Sequence, residues 1–127
     1  MDVHYSSLKK NKSNILFENA LFIYTSVISV AKQNFAVVDA GMTELMRPAL
    51  YQAIHEIDAV TSELPVKTYD VVGPICESSD TFRKGIRLPE VKRGDLLAIR
   101  SAGAYGEVMK SAYNLRPEIS PLFSDEV

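Results

Sequence analysis

Most of the chain alternates between runs of apolar and β-branched residues and short polar breaks. Residues 15–31 are rich in Ile, Leu, Phe, Tyr, Val and Thr, a composition that favours a strand over a helix. The polar residues 32–34 follow and suit a hairpin connection to a second strand at 35–38. We predict further strands over residues 53–57, 66–72 and 96–100.

Irregular segments are predicted between these strands. Residues 58–65 are expected to form a loop, and the basic stretch 81–89 is expected to be irregular as well. Within the strand at 66–72, a period of two places Tyr69 and Val71 on the same face. Many short strands with little helix predict a mainly β domain, either a barrel or a sandwich.

The chain of 127 residues has the length of one domain, which we place at residues 15–117 between tails at 1–14 and 118–127. The first tail is polar and basic, which favours a flexible end over a site for an acidic partner. A net charge of -2 argues against a nucleic-acid binder. The apolar run at 20–31 is too short to span a membrane, and a single cysteine fits a reducing compartment, so we predict a cytoplasmic protein.

A short helix is predicted from Thr43 to Tyr51. Thr43 can cap it, and Pro48 excludes a long regular helix through this point. On helical geometry Arg47 and Tyr51 lie four residues apart and share a face. The planar guanidinium of an arginine suits a carboxylate, so the pair is a candidate binding site. The alternative is a surface arginine that packs its stem over a tyrosine.

The stretch from Gly73 to Asp80 is the strongest candidate for chemistry. It follows a predicted strand, and Gly73 and Pro74 turn the backbone there. It contains the only cysteine, Cys76, with the carboxylate of Glu77 next to it. A buried structural cysteine is the commoner role of a lone thiol, so both interpretations stay open.

A second candidate site lies at residues 101–106, where small residues surround Tyr105. Small residues allow the backbone to approach a ligand closely, but a tight barrel corner with a packing tyrosine explains them equally well. His55 is expected to be a structural residue rather than a catalyst. We find no metal-ligand spacing, no nucleophile triad and no phosphate-binding glycine loop.

Four segments in order carry a family likeness that spans residues 15–117. Together they resemble the C-terminal domain of diaminopimelate decarboxylase, an enzyme that depends on pyridoxal phosphate (PLP) and makes lysine. This resemblance implies a single β-barrel domain with short helical turns. The segments are residues 38–42, 47–51 with 55–57, 73–80, and 94–97 continuing to 103–106 and 113–114.

The resemblance implies roles for five residues. Cys76 matches the loop cysteine of the family and is expected to protonate the carbon that loses CO₂, because an ordinary thiol is mostly protonated at neutral pH. Arg47, Tyr51 and Glu77 match residues that bind the substrate, and Tyr105 matches the tyrosine that lies against PLP. Arg47 favours diaminopimelate, because related decarboxylases that act on ornithine have no distal carboxylate to bind.

The resemblance also implies partners. In the family, an α/β barrel domain holds PLP and its lysine, and the C-terminal domain reaches into the opposite subunit of a homodimer. The chain has no room for that barrel, so we expect it to be inactive alone and to complete a site with a PLP-barrel domain. The alternatives are a regulatory module that pairs with a decarboxylase, and half of a decarboxylase for another amino acid or a carboxylated polyamine.

Overall fold

The computed structural model describes residues 20–32 and 34–126. Within these ranges the chain has six strands and three short helical segments. The strands are β1 (Ile23–Ala31), β2 (Phe35–Val38), β3 (Ile57–Ala59), β4 (Val66–Val72), β5 (Thr81–Pro89) and β6 (Leu96–Ile99). The helical segments are α1 (Arg47–Tyr51), α2 (Gly103–Val108) and a 3₁₀ turn (Tyr113–Leu115).

The strands form one sheet in the order β3-β6-β1-β2-β4-β5. In the described part of the chain, β2 and β4 run parallel, and the other four neighbouring pairs are antiparallel. The strands at the two ends of this order, β3 and β5, contact each other. The sheet therefore curls into a nearly closed barrel, which confirms the predicted mainly β fold with short helical turns.

The sheet bends around β1. The first half of this strand pairs with β6 and the second half pairs with β2. The register with β2 shifts between Val27 and Ser29, and such an irregularity increases the local twist of a strand. The Val27 N–H donates to the Asp95 carbonyl, and the Gly94 N–H donates to the Val27 carbonyl, both at 2.8 Å. These bonds join β1 to the turn that precedes β6.

Inward-facing side chains from all six strands form the core. Ala36 and Val38 in β2 are buried, as are Tyr69 and Val71 in β4. The predicted face of β4 is therefore confirmed, and the spacing of two is that of a strand with one face against the core. The Tyr69 hydroxyl accepts a hydrogen bond from the Val91 N–H at 3.2 Å, which satisfies a polar group inside the core.

One segment that we expected to be irregular is a strand. Residues 81–89 form β5, which pairs with β4 along its length. Phe82 and Ile86 are buried in it, while basic side chains between them obscure the alternation in the sequence. Gly85 has a φ of 63°, and its N–H donates to the Asp70 side chain at 2.7 Å. Gly85 thus interrupts the alternation of buried and exposed residues, but the pairing with β4 continues on both sides of it.

Two predicted boundaries are also wrong. The helix begins at Arg47 rather than Thr43, because Pro48 fits only in the first turn, where its missing N–H costs no hydrogen bond. The strand predicted at 53–57 instead spans Ile57–Ala59, because these residues pair with β6. The hairpin between β1 and β2 is confirmed by their antiparallel register.

The predicted tail at residues 1–14 lies outside the described residues, and the boundaries of the domain at 15 and 117 stay predictions. Residues 118–126 are almost all exposed. Among the helices of the described ranges, none is both long and apolar enough to cross a membrane.

Candidate functional site

The guanidinium of Arg47 lies between two aromatic rings. Its Cζ is 5.9 Å from the ring centre of Tyr51 and 5.3 Å from that of Tyr105. Both distances are within the range of a cation–π contact. The predicted shared face of Arg47 and Tyr51 is therefore confirmed. The Arg47 Nε is buried and has no hydrogen-bond partner within residues 20–32 and 34–126.

Close packing of α2 brings Tyr105 to this position. A Cβ added at Gly106 would lie 3.0 Å from the Ala102 Cβ and 3.5 Å from a methyl group of Leu45. The glycine thus lets α2 pack beside the residues that lead into α1. Tyr105 is 53% exposed, so its side chain is not part of the core. This exposure argues against a tight corner with a packing tyrosine, and the contact of this segment with a ligand stays a prediction.

The loop from Gly73 to Asp80 presents its thiol to solvent. Cys76 is a free, exposed cysteine, so the interpretation as a buried structural residue is wrong. Backbone hydrogen bonds close the loop: the Gly73 N–H donates to the Asp80 carbonyl at 2.8 Å, and the Asp80 N–H donates to the Glu77 carbonyl at 3.0 Å. The cysteine is therefore held at the tip of a compact turn.

The buried side chain of Asp80 holds this loop in place. Its buried carboxylate accepts hydrogen bonds from the N–H groups of Met42 at 2.6 Å and Ile75 at 2.7 Å. A Cβ at Gly73 would lie only 2.2 Å from the same carboxylate, so a side chain there would collide with it. Burial raises the pKa of Asp80, although the two backbone donors oppose that shift.

Glu77 is held by a tyrosine from the C-terminal part of the chain. The Tyr113 hydroxyl donates a short hydrogen bond to the Glu77 Oε1. The Ser79 hydroxyl lies 3.5 Å from the other carboxylate oxygen. The hydrogen bond to Glu77, followed by the charge of that carboxylate, raises the pKa of Tyr113. All three side chains belong to exposed residues, so the carboxylate is positioned at the surface.

Residues 39–46 join these groups, and we call them the platform. The platform leads directly into Arg47, and its Met42 N–H bonds to Asp80 of the cysteine loop. The carboxylate of Glu44 accepts the Gly41 N–H at 2.7 Å, a hydrogen bond within the platform. The Ser111 N–H donates to the Thr43 carbonyl at 2.9 Å, so the C-terminal segment is attached to the platform as well.

The structure thus forms two groups from the predicted residues: Arg47, Tyr51 and Tyr105 in one, and Cys76 and Glu77 in the other. The platform connects both groups. The sequence alone missed the contributions of two further residues, Asp80 and Tyr113. Asp80 could have been found from the glycines near it, which signal a close approach of the backbone. Tyr113 gives no such local signal.

His55 lies outside both groups. It is buried, and its Nδ1 is 3.0 Å from the Arg100 carbonyl oxygen, as expected for a structural histidine. Arg100 itself forms a bidentate ion pair with Asp58. Within the described ranges, no cluster of three or more His, Cys, Asp or Glu residues could hold a metal ion.

Comparison with known proteins identifies relatives of this architecture. A family model described as the C-terminal sheet domain of pyridoxal-dependent decarboxylases matches residues 5–103. The diaminopimelate decarboxylase of Bacteroides thetaiotaomicron is 64% identical over 96 residues, which are 76% of this chain and 25% of that enzyme.

Comparison with solved structures also finds diaminopimelate decarboxylases. The diaminopimelate decarboxylase of Helicobacter pylori complexed with L-lysine has a TM-score of 0.69 and 48% identity, covering 73% of this chain and 24% of that one. The enzyme of M. jannaschii in complex with L-lysine has a TM-score of 0.72 and 36% identity, covering 75% of this chain and 23% of that one. The chain therefore spans about a quarter of the length of the relatives it matches.

Proposed function

The chain belongs to the pyridoxal-dependent decarboxylase family through its C-terminal sheet domain, and from this premise we propose that it forms part of a diaminopimelate decarboxylase. In this proposal the complete enzyme converts meso-diaminopimelate to L-lysine and CO₂. The observation that carries it is the guanidinium of Arg47, which lies within cation–π distance of two exposed aromatic rings. Arg47 directly follows the platform, whose Met42 N–H bonds to Asp80 in the loop that contains Cys76 and Glu77. This arrangement suits a substrate with a distal amino-acid group.

The distal group of diaminopimelate carries one carboxylate and one ammonium. Arg47 is proposed to bind the carboxylate with its planar fork, since cation–π contacts already orient the guanidinium. The Tyr51 hydroxyl adds a neutral hydrogen bond. Glu77 is proposed to bind the ammonium, because its carboxylate is exposed and ordered by Tyr113. These three residues distinguish diaminopimelate from substrates whose far end is a simple amine.

The residues present also fit one edge of PLP. Tyr105 offers an exposed ring beside a permanent cation, which suits a flat, anionic aromatic molecule. When bound, PLP withdraws electrons from the carbon that loses CO₂. We propose that Tyr105 contacts this cofactor, while a PLP-bearing α/β barrel domain provides the rest of its site. By analogy with the family, this barrel belongs to the opposite subunit of a homodimer in the cytoplasm.

Cys76 is proposed to complete the reaction. Loss of CO₂ leaves an electron pair on the α-carbon, and the thiol of Cys76 donates its proton to that carbon. The resulting thiolate regains a proton from water. The exposure of Cys76 at the tip of a closed loop makes it accessible to a substrate bound on a facing domain.

A domain exchange tests the proposal. The chain would replace the corresponding quarter of the Bacteroides thetaiotaomicron relative, and CO₂ release from meso-diaminopimelate would be measured. We expect lysine and CO₂ in equal amounts from the chimera. A folded, PLP-loaded chimera that releases no CO₂ would contradict the proposal and favour a regulatory module. Activity on other amino acids alone would favour a different substrate.

A further inference from the structure

We propose that Tyr113 is a positioning residue that holds Glu77 against the distal ammonium of the substrate and so sets specificity for an amino-acid group at that end. This inference rests on the proposed function and extends it to a residue beyond position 103, where the family match ends. The Tyr113 hydroxyl donates to the Glu77 carboxylate, so in this proposal it acts on the substrate through Glu77.

The hydrogen bond from Tyr113 restricts a side chain that would otherwise be free to turn. Glu77 lies on an exposed loop, and a glutamate loses considerable rotamer freedom when it is fixed. The Tyr113 hydroxyl donates to Oε1, which leaves Oε2 available for a second donor. The Ser79 hydroxyl lies at the long distance of 3.5 Å from Oε2. A substrate ammonium can therefore bind Oε2 while Tyr113 keeps the carboxylate in place.

The position of Tyr113 is enforced by its neighbours. Asn114 and Leu115 both have a φ of 58°, a left-handed conformation that a leucine adopts only under constraint. Arg116 supplies the constraint, since its Nη2 donates to the Asp39 carbonyl at 2.5 Å and its Nε donates to the Thr43 hydroxyl at 3.3 Å. The 3₁₀ turn is thus attached to the platform by the residue that directly follows it. Such strain in a surface turn persists where surrounding contacts compensate for it.

The experiment compares two inhibitors of the PLP-loaded chimera described above. The distal end is the one that carries the α-carbon of lysine, and there L-lysine has both a carboxylate and an ammonium. The ε-aminocaproate ion is lysine without its α-amino group, so at that end it retains only the carboxylate. Tyr113→Phe should raise the inhibition constant of L-lysine by about tenfold, since a hydrogen bond to a charged group is lost. The inhibition constant of ε-aminocaproate should stay within about twofold, because Arg47 still binds its carboxylate.

Three further variants complete the design. Glu77→Gln should show the same selective loss, and adding Tyr113→Phe to it should cause no additional loss, because both changes act on one contact. Tyr24→Phe removes the hydroxyl of an exposed tyrosine on β1 and should change neither constant.

An equal rise of both constants in Tyr113→Phe would show a general structural role and overturn the inference. Unchanged inhibition by L-lysine would overturn it as well. If the unmodified chimera bound neither inhibitor, the proposed function itself would fail, and the inference would fail with it.

Discussion

The guanidinium of Arg47 lies against two aromatic faces, which orients its plane before any substrate binds. We predict that Arg47→Lys raises the KM for meso-diaminopimelate by about tenfold and Arg47→Ala by about a hundredfold, because lysine keeps the charge but not the fork. Steady-state rates of CO₂ release by the chimera measure the KM of each variant. An equal loss with substrates that lack a distal carboxylate would indicate a structural arginine.

Cys76 is the second residue whose proposed role, protonation of the reacting carbon, can be tested by a single substitution. Cys76→Ala should lower kcat by about a hundredfold or more and leave KM nearly unchanged, because the thiol is proposed to act on the reacting carbon and not on the distal end. Ser78→Ala in the same exposed loop is the matched control and should leave both constants unchanged. A kcat that survives the loss of the thiol would remove Cys76 from the mechanism.

Individual residues were predictable where their geometry is local. Arg47 and Tyr51 are four residues apart, so helical geometry alone places them on one face. The bond between Tyr113 and Glu77 joins residues 36 positions apart, and it depends on how the whole C-terminal segment returns to the platform. No local pattern contains that information.

Among the elements, the cysteine loop depends on one carboxylate. Asp80→Asn should lower the free energy of unfolding by about 1–3 kcal/mol, because an amide has a single acceptor oxygen and leaves the N–H of Met42 or Ile75 unsatisfied. Urea denaturation measures this difference. Asp125→Asn, at an exposed position, is the control and should be neutral. A similar stability for both variants would show that Asp80 does not hold the loop.

The same carboxylate links stability to pH. Burial raises the pKa of Asp80 above its ordinary value of 3.8, so the folded chain binds this proton more tightly than the unfolded chain. Its contribution to the free energy of unfolding is therefore complete below 3.8 and falls as pH rises through the raised pKa. Glu44 adds to the shift, while Arg116 and the two N–H donors oppose it.

The advantage of the unmodified chain over Asp80→Asn should thus be larger in mildly acidic buffer than at neutral pH. Groups that do not interact with Asp80 contribute equally to both proteins and cancel in the difference. Urea titrations across this range measure it, and a difference that grows as pH rises would contradict the assigned direction.

Strands were predictable where one face alternates clearly, as in β4, and missed where charged residues and a glycine break the alternation, as in β5. The barrel depends on pairings that no single strand encodes. The contact between β3 and β5, which nearly closes the sheet, results from the strand order of the complete domain. The family resemblance indicated this architecture, whereas the apolar pattern left a barrel and a sandwich equally open.

For the whole molecule, the helices around Arg47 expose an apolar surface. Leu50, Ile54 and Val108 are 57%, 70% and 72% exposed, and they accompany the exposed rings of Tyr51 and Tyr105. A surface of this kind marks an interface with another chain or domain. The 127-residue chain, studied by itself, should therefore self-associate as its concentration rises.

Sedimentation velocity tests this expectation. Replacing Ile54 and Val108 together by serine should extend the concentration range in which the chain is a monomer. Val30→Ser, which changes an exposed apolar residue of the β1–β2 hairpin, is the control. A chain that stays monomeric at high concentration without any substitution would contradict this view of the surface.

The parallel pairing of β2 with β4 has a consequence for the order in which the domain folds. The hairpins β1–β2 and β4–β5 join neighbouring segments, whereas β2 can meet β4 only after residues 39–65 have closed a long crossover. Closing such a loop costs chain entropy before any contact repays it, so we expect this step to come late. The platform and Arg47 lie within the crossover. The surface around Arg47 should therefore acquire its shape only after the hairpins on either side have formed.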